Sequence, residues 1–163
     1  MDRGQVALKL FLDELGVSFD IETIDDRKRV QKAIYLGQLS GVDLGYRFGW
    51  YVMGPYCPSL TRDYFPLADS LASGDNDWEG KSLKKKVQEK LARIRTLMTP
   101  PEAVDLPQED WLELVASLDF LMRVSEYDYE EALKVLKRDK NHVFPYVAEA
   151  KQALLDAGLF PVN

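Results

Sequence analysis

Two side chains set the limits on covalent chemistry in this sequence. The chain holds one cysteine, Cys57, and one histidine, His142. A Cys–His nucleophilic pair needs the imidazole within hydrogen-bond reach of the thiol, and no pattern between these two directs that approach. Cys57 therefore reads as a small, partly buried cysteine, and His142 as a helix-capping or surface histidine. One Cys and one His do not supply the usual zinc ligand set. No GKS/T phosphate loop, GxGxxG or GxSxG pattern is present. Carboxylates are plentiful, but Asp128, Glu130 and Glu131 precede Lys134, Lys137 and Arg138. That spacing suits i,i+3 and i,i+4 ion pairs on a solvated helix face, each worth a few tenths of a kcal/mol, about 0.2–0.5. These residues predict no catalytic site, no metal and no cofactor.

Binding chemistry has two better places. Residues 81–95 carry Lys81, Lys84, Lys85, Lys86, Lys90, Arg93 and Arg95 against Glu89 alone, while residues 102–131 carry ten acids against Arg123 alone. The two stripes predict either helices that pair with each other or two separate faces for partners. Lys84, Lys85, Lys86, Lys90 and Arg93 are the candidate phosphate contacts. The basic stretch has no interleaved aromatics to stack on bases. The second place is residues 27–67. It combines Arg27, Lys28, Arg29 and Lys32, the aromatics Tyr46, Phe48, Trp50, Tyr51 and Tyr56, and the turn Gly54-Pro55. Trp, Tyr and Arg are the favoured anchors of protein contacts, so Arg27, Lys28, Arg47, Trp50, Tyr51, Tyr56 and Arg62 are the candidate partner-binding residues. Most of the aromatics are also expected to serve the core.

The elements that must carry these residues are mostly helical. Residues 5–15 form an amphipathic helix ended by Gly16. Asp25 or Asp26 is placed to cap a helix beginning at Arg27 and stopping at Gly41. Tyr46 to Met53 is the best strand, broken by Gly54-Pro55. Pro58 opens a helix over 59–73, which Pro66 is expected to kink or split. A long helix is predicted over 81–98, then others over 108–124, 127–136 and 144–155. The expected fold is mostly α: a helical domain with a short aromatic β-strand or small β-wing and a winged-helix-like N-terminal core. The 163 residues fit a single domain, or a core over 1–75 and a helical half over 76–163.

A hydrophobic fraction of 46% and a charged fraction of 29% are those of a globular chain. The net charge of −6 opposes broad, nonspecific nucleic-acid affinity. The charged start, with Asp2, Arg3 and Lys9, lacks the form of a signal peptide. No run approaches the ~20 apolar residues of a membrane span. A lone cysteine suits a reducing compartment, so a cytoplasmic location without membrane contact is expected.

The segment RKRVQKAIYLGQLSG … YRFGWYVMGPYCPSLTRDYFPL resembles the YwgA-like family of bacterial and archaeal proteins and, more distantly, the Panacea (SocA-like) antitoxin domain. The likeness rests on Lys28, Val30, Lys32, Ile34, Tyr35 and Leu36, then Phe48, Trp50 and Tyr51, then Gly54-Pro55-Tyr56 and Leu60. It covers about 40 residues. Cys57-Pro58 stands where the pattern has a small polar pair. The resemblance implies an α-rich, non-catalytic protein-binding module, antitoxin-like or accessory to a bacterial defence or toxin–antitoxin system. Its partner would be a toxin, nuclease or ATPase effector. Separately, Arg138-x3-His142 is one residue shorter than the Arg-x4–6-His signature of HEPN ribonucleases and reads as a polar helix end. Two rivals remain at this level. One is a winged-helix-like nucleic-acid-binding regulator using residues 81–95 or the basic start of the helix at Arg27. The other is an enzyme whose carboxylates the sequence does not group.

Overall fold

The computed structural model describes residues 1–161. Helix α1 (Arg3–Leu15) begins at a reciprocal cap in which Asp2 and Gln5 satisfy each other's backbone N–H, and ends at Gly16 with φ +73°. Helix α2 (Ile24–Gln38) starts earlier than its basic run suggests. Thr23 is the cap, and Asp26 returns the bond to the Thr23 N–H. The expected cap, Asp25 or Asp26, thus lies in the first turn, where a carboxylate also meets the positive end of the helix dipole.

The single long strand is replaced by a hairpin of β1 (Gly49–Tyr51) and β2 (Gly54–Tyr56), which pair Gly49 with Tyr56, Trp50 with Pro55 and Tyr51 with Gly54. Gly54-Pro55 does not break the sheet; it is the second strand. Val52 and Met53 form the two-residue loop without positive φ, and Gly54 takes the left-handed position at φ +90°. That is the arrangement of a type I turn closed by a glycine bulge. Antiparallel alternation puts Trp50 and Pro55 at a pair that exchanges no ladder bonds, so the missing proline N–H costs nothing and the Pro55 carbonyl faces outward.

Helix α3 (Pro58–Ala72) has proline in its first turn and passes through Pro66 as one element. Helix α4 (Lys85–Ile94) starts four residues later than its periodicity predicts, and its last turn tightens into a 3₁₀ turn over Arg95–Met98. Clustered lysines at a helix start oppose the dipole and leave the first turn without a cap. Helices α5 (Gln108–Arg123), α6 (Tyr129–Asp139) and α7 (Val147–Asp156) follow. Asp128 and Glu131 form the reciprocal cap of α6, a different use from the face-pairing their spacing suggested.

The result is a mostly α fold with one small two-stranded wing, as the pattern predicted. Its centre is α5, buried on every side from Trp111 to Met122, as expected of a helix that is apolar nearly all round. Helix α2 packs along α5, while the hairpin, α6 and α7 cover α5 elsewhere. Gly37 lets α1 approach α2, since a Cβ there would sit 2.3 Å from the Phe11 ring. The basic helix α4 packs on α1 and the side of α2. Of the two alternatives for the basic and acidic stripes, pairing of α4 along α5 is not what the packing of the described residues shows: α5 is enclosed by α2, the hairpin, α6 and α7, and the cations of α4 are exposed. No helix among the described residues is long and apolar enough to cross a membrane.

Candidate functional site

The polar face of α2 turns inward. Lys28, Gln31, Lys32 and Tyr35 recur at the i, i+3, i+4, i+7 spacing of a core stripe, and all four are buried. They meet a second polar stripe on α5, formed by Asp110, Glu113 and Ser117. Glu113, 2% exposed, is the hub. Its Oε1 accepts from Lys28 Nζ at 2.8 Å, and its Oε2 lies 2.9 Å from Lys140 Nζ. Lys28 Nζ also donates to Asp110 at 2.6 Å. One turn further on, Tyr35 donates to Asp119 at 2.6 Å, and the Arg123 guanidinium covers the same carboxylate.

The same cluster holds the wing. Lys32 Nζ donates to the outward carbonyl of Pro55 at 2.6 Å. Lys140, delivered by the last turn of α6, donates to the Val52 carbonyl and stands 5.5 Å over the Trp50 ring. Gln31 bonds both the N–H and the carbonyl of Cys57, fixing the start of α3. Gly54 lies so close to α5 that a Cβ would fall 2.5 Å from Ser117 Oγ, a hydroxyl buried without a hydrogen-bond partner. Gly54→Ala therefore meets both a left-handed φ and a clash. We expect a loss of about 2–3 kcal/mol in urea unfolding, of which Ser117→Gly in the same chain restores the clash part only.

Burial and charge oppose each other in this cluster. Burial pushes the Glu113 carboxyl up, but the hydrogen bonds and charges of Lys28 and Lys140 outweigh it and hold it below its ordinary value. Burial lowers Lys28, yet Asp110 and Glu113 leave its ammonium above the ordinary lysine value. Lys32 has no such partner. Burial, countered by the charge of Glu113 but reinforced by Lys140 and Lys28, lowers its amine to about 7.

Above this floor lies a groove of about 430 Å³ between the first half of α2, the hairpin and α3. Ile24, Tyr51, Val52, Met53 and Phe65 line it, and they are five of the eight large apolar side chains exposed among the described residues. That concentration distinguishes the patch from scattered surface apolar groups. On one wall Tyr56 Oη lies 2.6 Å from Thr61 Oγ1, and Thr61 donates to Tyr64.

Of the residues singled out in sequence, Arg27, Lys28, Tyr51 and Tyr56 line this groove. The Lys28 ammonium is held between two carboxylates. Trp50 leans on Phe120 at 5.8 Å between ring centres. Arg47 is paired with Asp43 away from the groove, and Arg62 is exposed outside its lining. Lys84, at the start of α4, and Lys85, Lys86, Lys90 and Arg93 on it are all exposed. Cys57 is buried with its thiol 3.1 Å from Ser59 Oγ, while His142 Nε2 sits 3.2 Å from Glu113. Arg138 pairs with Asp139. The ligand atoms of Asp110, Glu113 and His142 come within 4.8 Å of one another. The Lys28 ammonium already bridges the two carboxylates, so a divalent ion there would have to displace it. Sequence reasoning missed Ile24, Gln31, Val52, Met53, Phe65, Glu113 and Lys140, and noted Lys32 only as one of the cations of the segment. The usable signal was the polar stripe on α2 at core spacing. No family model, no curated protein and no solved structure matches this chain.

Proposed function

We propose that this chain is a protein-binding module that takes an apolar segment of a partner into the groove between α2, α3 and the hairpin tip. One observation carries the reading. Val52 is 91% exposed at the end of a hairpin whose backbone is held from beneath by Lys32 and Lys140. A rigid base that presents apolar side chains to water loses little conformational entropy on binding. The polar atoms of Gln31, Thr61, Tyr56 and Tyr64 already bond one another, so a partner's apolar side chains meet a wall with few unmet polar demands. An antitoxin-like or accessory role in a bacterial defence or toxin–antitoxin assembly accords with the likeness of residues 27–67 to YwgA-like and Panacea sequences. The partner class is then a toxin, nuclease or ATPase effector. The exposed cations of α4 support a second reading, a nucleic-acid contact on a different face.

Selection of random dodecapeptides on the purified chain tests the first reading. Enriched peptides should bind the wild type and lose at least about tenfold in affinity, roughly 1.4 kcal/mol, to Val52→Asp or Phe65→Asp. Val52→Asp should melt like the wild type, because Val52 is almost fully exposed, while Phe65→Asp should lose a little stability with its edge contact to Tyr64. Peptides that bind the variants equally well would place the contact elsewhere.

A further inference from the structure

The groove's charge is one-sided. Its lining includes Arg27, Lys28 and Lys32 and no carboxylate, in a chain of net charge −6. Lys28 is satisfied by Asp110 and Glu113. Arg27 offers five N–H donors and makes one long bond, 3.3 Å, to the Ile21 carbonyl. Lys32 is 1% exposed and donates only to the neutral Pro55 carbonyl. The floor thus sets three ammonium groups, Lys28, Lys32 and Lys140, against two carboxylates, Asp110 and Glu113. Whenever Lys32 is protonated, one buried positive charge is left over. Such a charge is costly unless something pairs with it.

We propose that the occupant of the groove is an apolar peptide segment bearing a carboxylate, and that Arg27 and Lys32 receive that carboxylate. The inference rests on the groove being a protein-binding site and names the chemistry of the partner. An incoming carboxylate neutralises the surplus cation and gives the Arg27 fork a planar acceptor. It also offsets part of the burial cost that lowers the Lys32 amine, so binding should take up a proton near neutral pH. Ile24 and Val52 line the groove yet are 60% and 91% exposed, so a small apolar acid seated in it would cover less of them than a longer occupant that runs past the rim. A peptide has that length, which favours the larger occupant.

The test uses the full chain, the most enriched dodecapeptide from the selection, and its twin with each Asp and Glu replaced by Asn and Gln and its C-terminus amidated. Decanoate serves as the small apolar acid. The acidic peptide should bind at least about tenfold more tightly than its twin. That gap should close in Arg27→Met and in Lys32→Met, with the 13C shift of Lys32 Cε reporting a raised amine pKa in the wild-type complex. Two substitutions guard against a folding defect in either one. Equal binding of peptide and twin would overturn the carboxylate assignment and leave the protein-binding reading standing. A library that yields no enriched peptide would overturn both readings, and decanoate binding in that case would assign the groove to a small apolar acid.

Discussion

Replacing Glu113 by glutamine should cost about 3–5 kcal/mol in unfolding free energy at neutral pH, the loss typical when one member of a buried ion cluster is removed. The isosteric amide fills the same space but cancels the charge that holds Lys28 and Lys140. Lys28 retains Asp110; Lys140 retains the Val52 carbonyl and the Trp50 ring but no carboxylate partner. Two ammonium groups, 8% and 2% exposed at their side chains, then lack most of their compensation. Urea unfolding of the wild type and Glu113→Gln measures this directly. A second arm, Glu113→Gln with Lys140→Met, should recover part of the loss, because it removes the stranded cation. A loss below about 1 kcal/mol would show that these charges are solvated and that the hub is not structural. The sign with pH follows from the lowered folded pKa of Glu113. Its contribution is present above the ordinary value of 4.5 and is lost as pH falls through the lower folded value.

Lys32→Met should act in the opposite direction. The Lys32 amine titrates at about 7 in the folded chain against 10.5 in its ordinary setting. Between those values the unfolded chain binds more protons than the folded one, so stability rises with pH. Below pH 7 the cost of the buried cation is fully present; by about 10.5 it has been relieved. The span corresponds to roughly 3–5 kcal/mol. Methionine has similar length and no charge, so it removes this dependence while forfeiting one bond to Pro55. We expect Lys32→Met to be at least as stable as the wild type near pH 6, and the stability difference to shift by roughly 3 kcal/mol toward the wild type by about pH 9.5. Parallel curves for the two proteins would contradict the account of Lys32 as a buried, uncompensated cation.

These two residues also show where sequence reading stopped. Hydropathy marks lysine and glutamate as surface residues, so the α2 stripe Lys28, Gln31, Lys32 and Tyr35 reads as an exposed basic helix start. Only a partner stripe on α5 makes burial tolerable, and Asp110, Glu113 and Ser117 lie about 80 residues away. No local pattern joins the two. The helices themselves were readable, because their apolar spacing and caps are local. Gly16 after α1 and Pro58 at the start of α3 are where that reasoning puts them. The hairpin was half legible. Aromatic residues marked β1, but Gly54-Pro55 signals a break in isolation and becomes a strand only because Gly54 can adopt φ +90° and press against Ser117. Once β2 is recognised, Val52 and Met53 become a loop tip, and their exposure follows. The groove was hidden for that reason, although Tyr51 and Tyr56, singled out in sequence, are among the residues that line it.

The partner-binding groove is tested most directly by amide chemical shifts of the 15N-labelled chain as an enriched peptide is added. The account predicts that perturbations concentrate in the first half of α2 around Arg27 to Lys32, in the hairpin from Gly49 to Tyr56, and in α3 near Thr61 to Phe65. Perturbations centred on Lys84 to Arg93 of α4, with the hairpin tip unmoved, would contradict it.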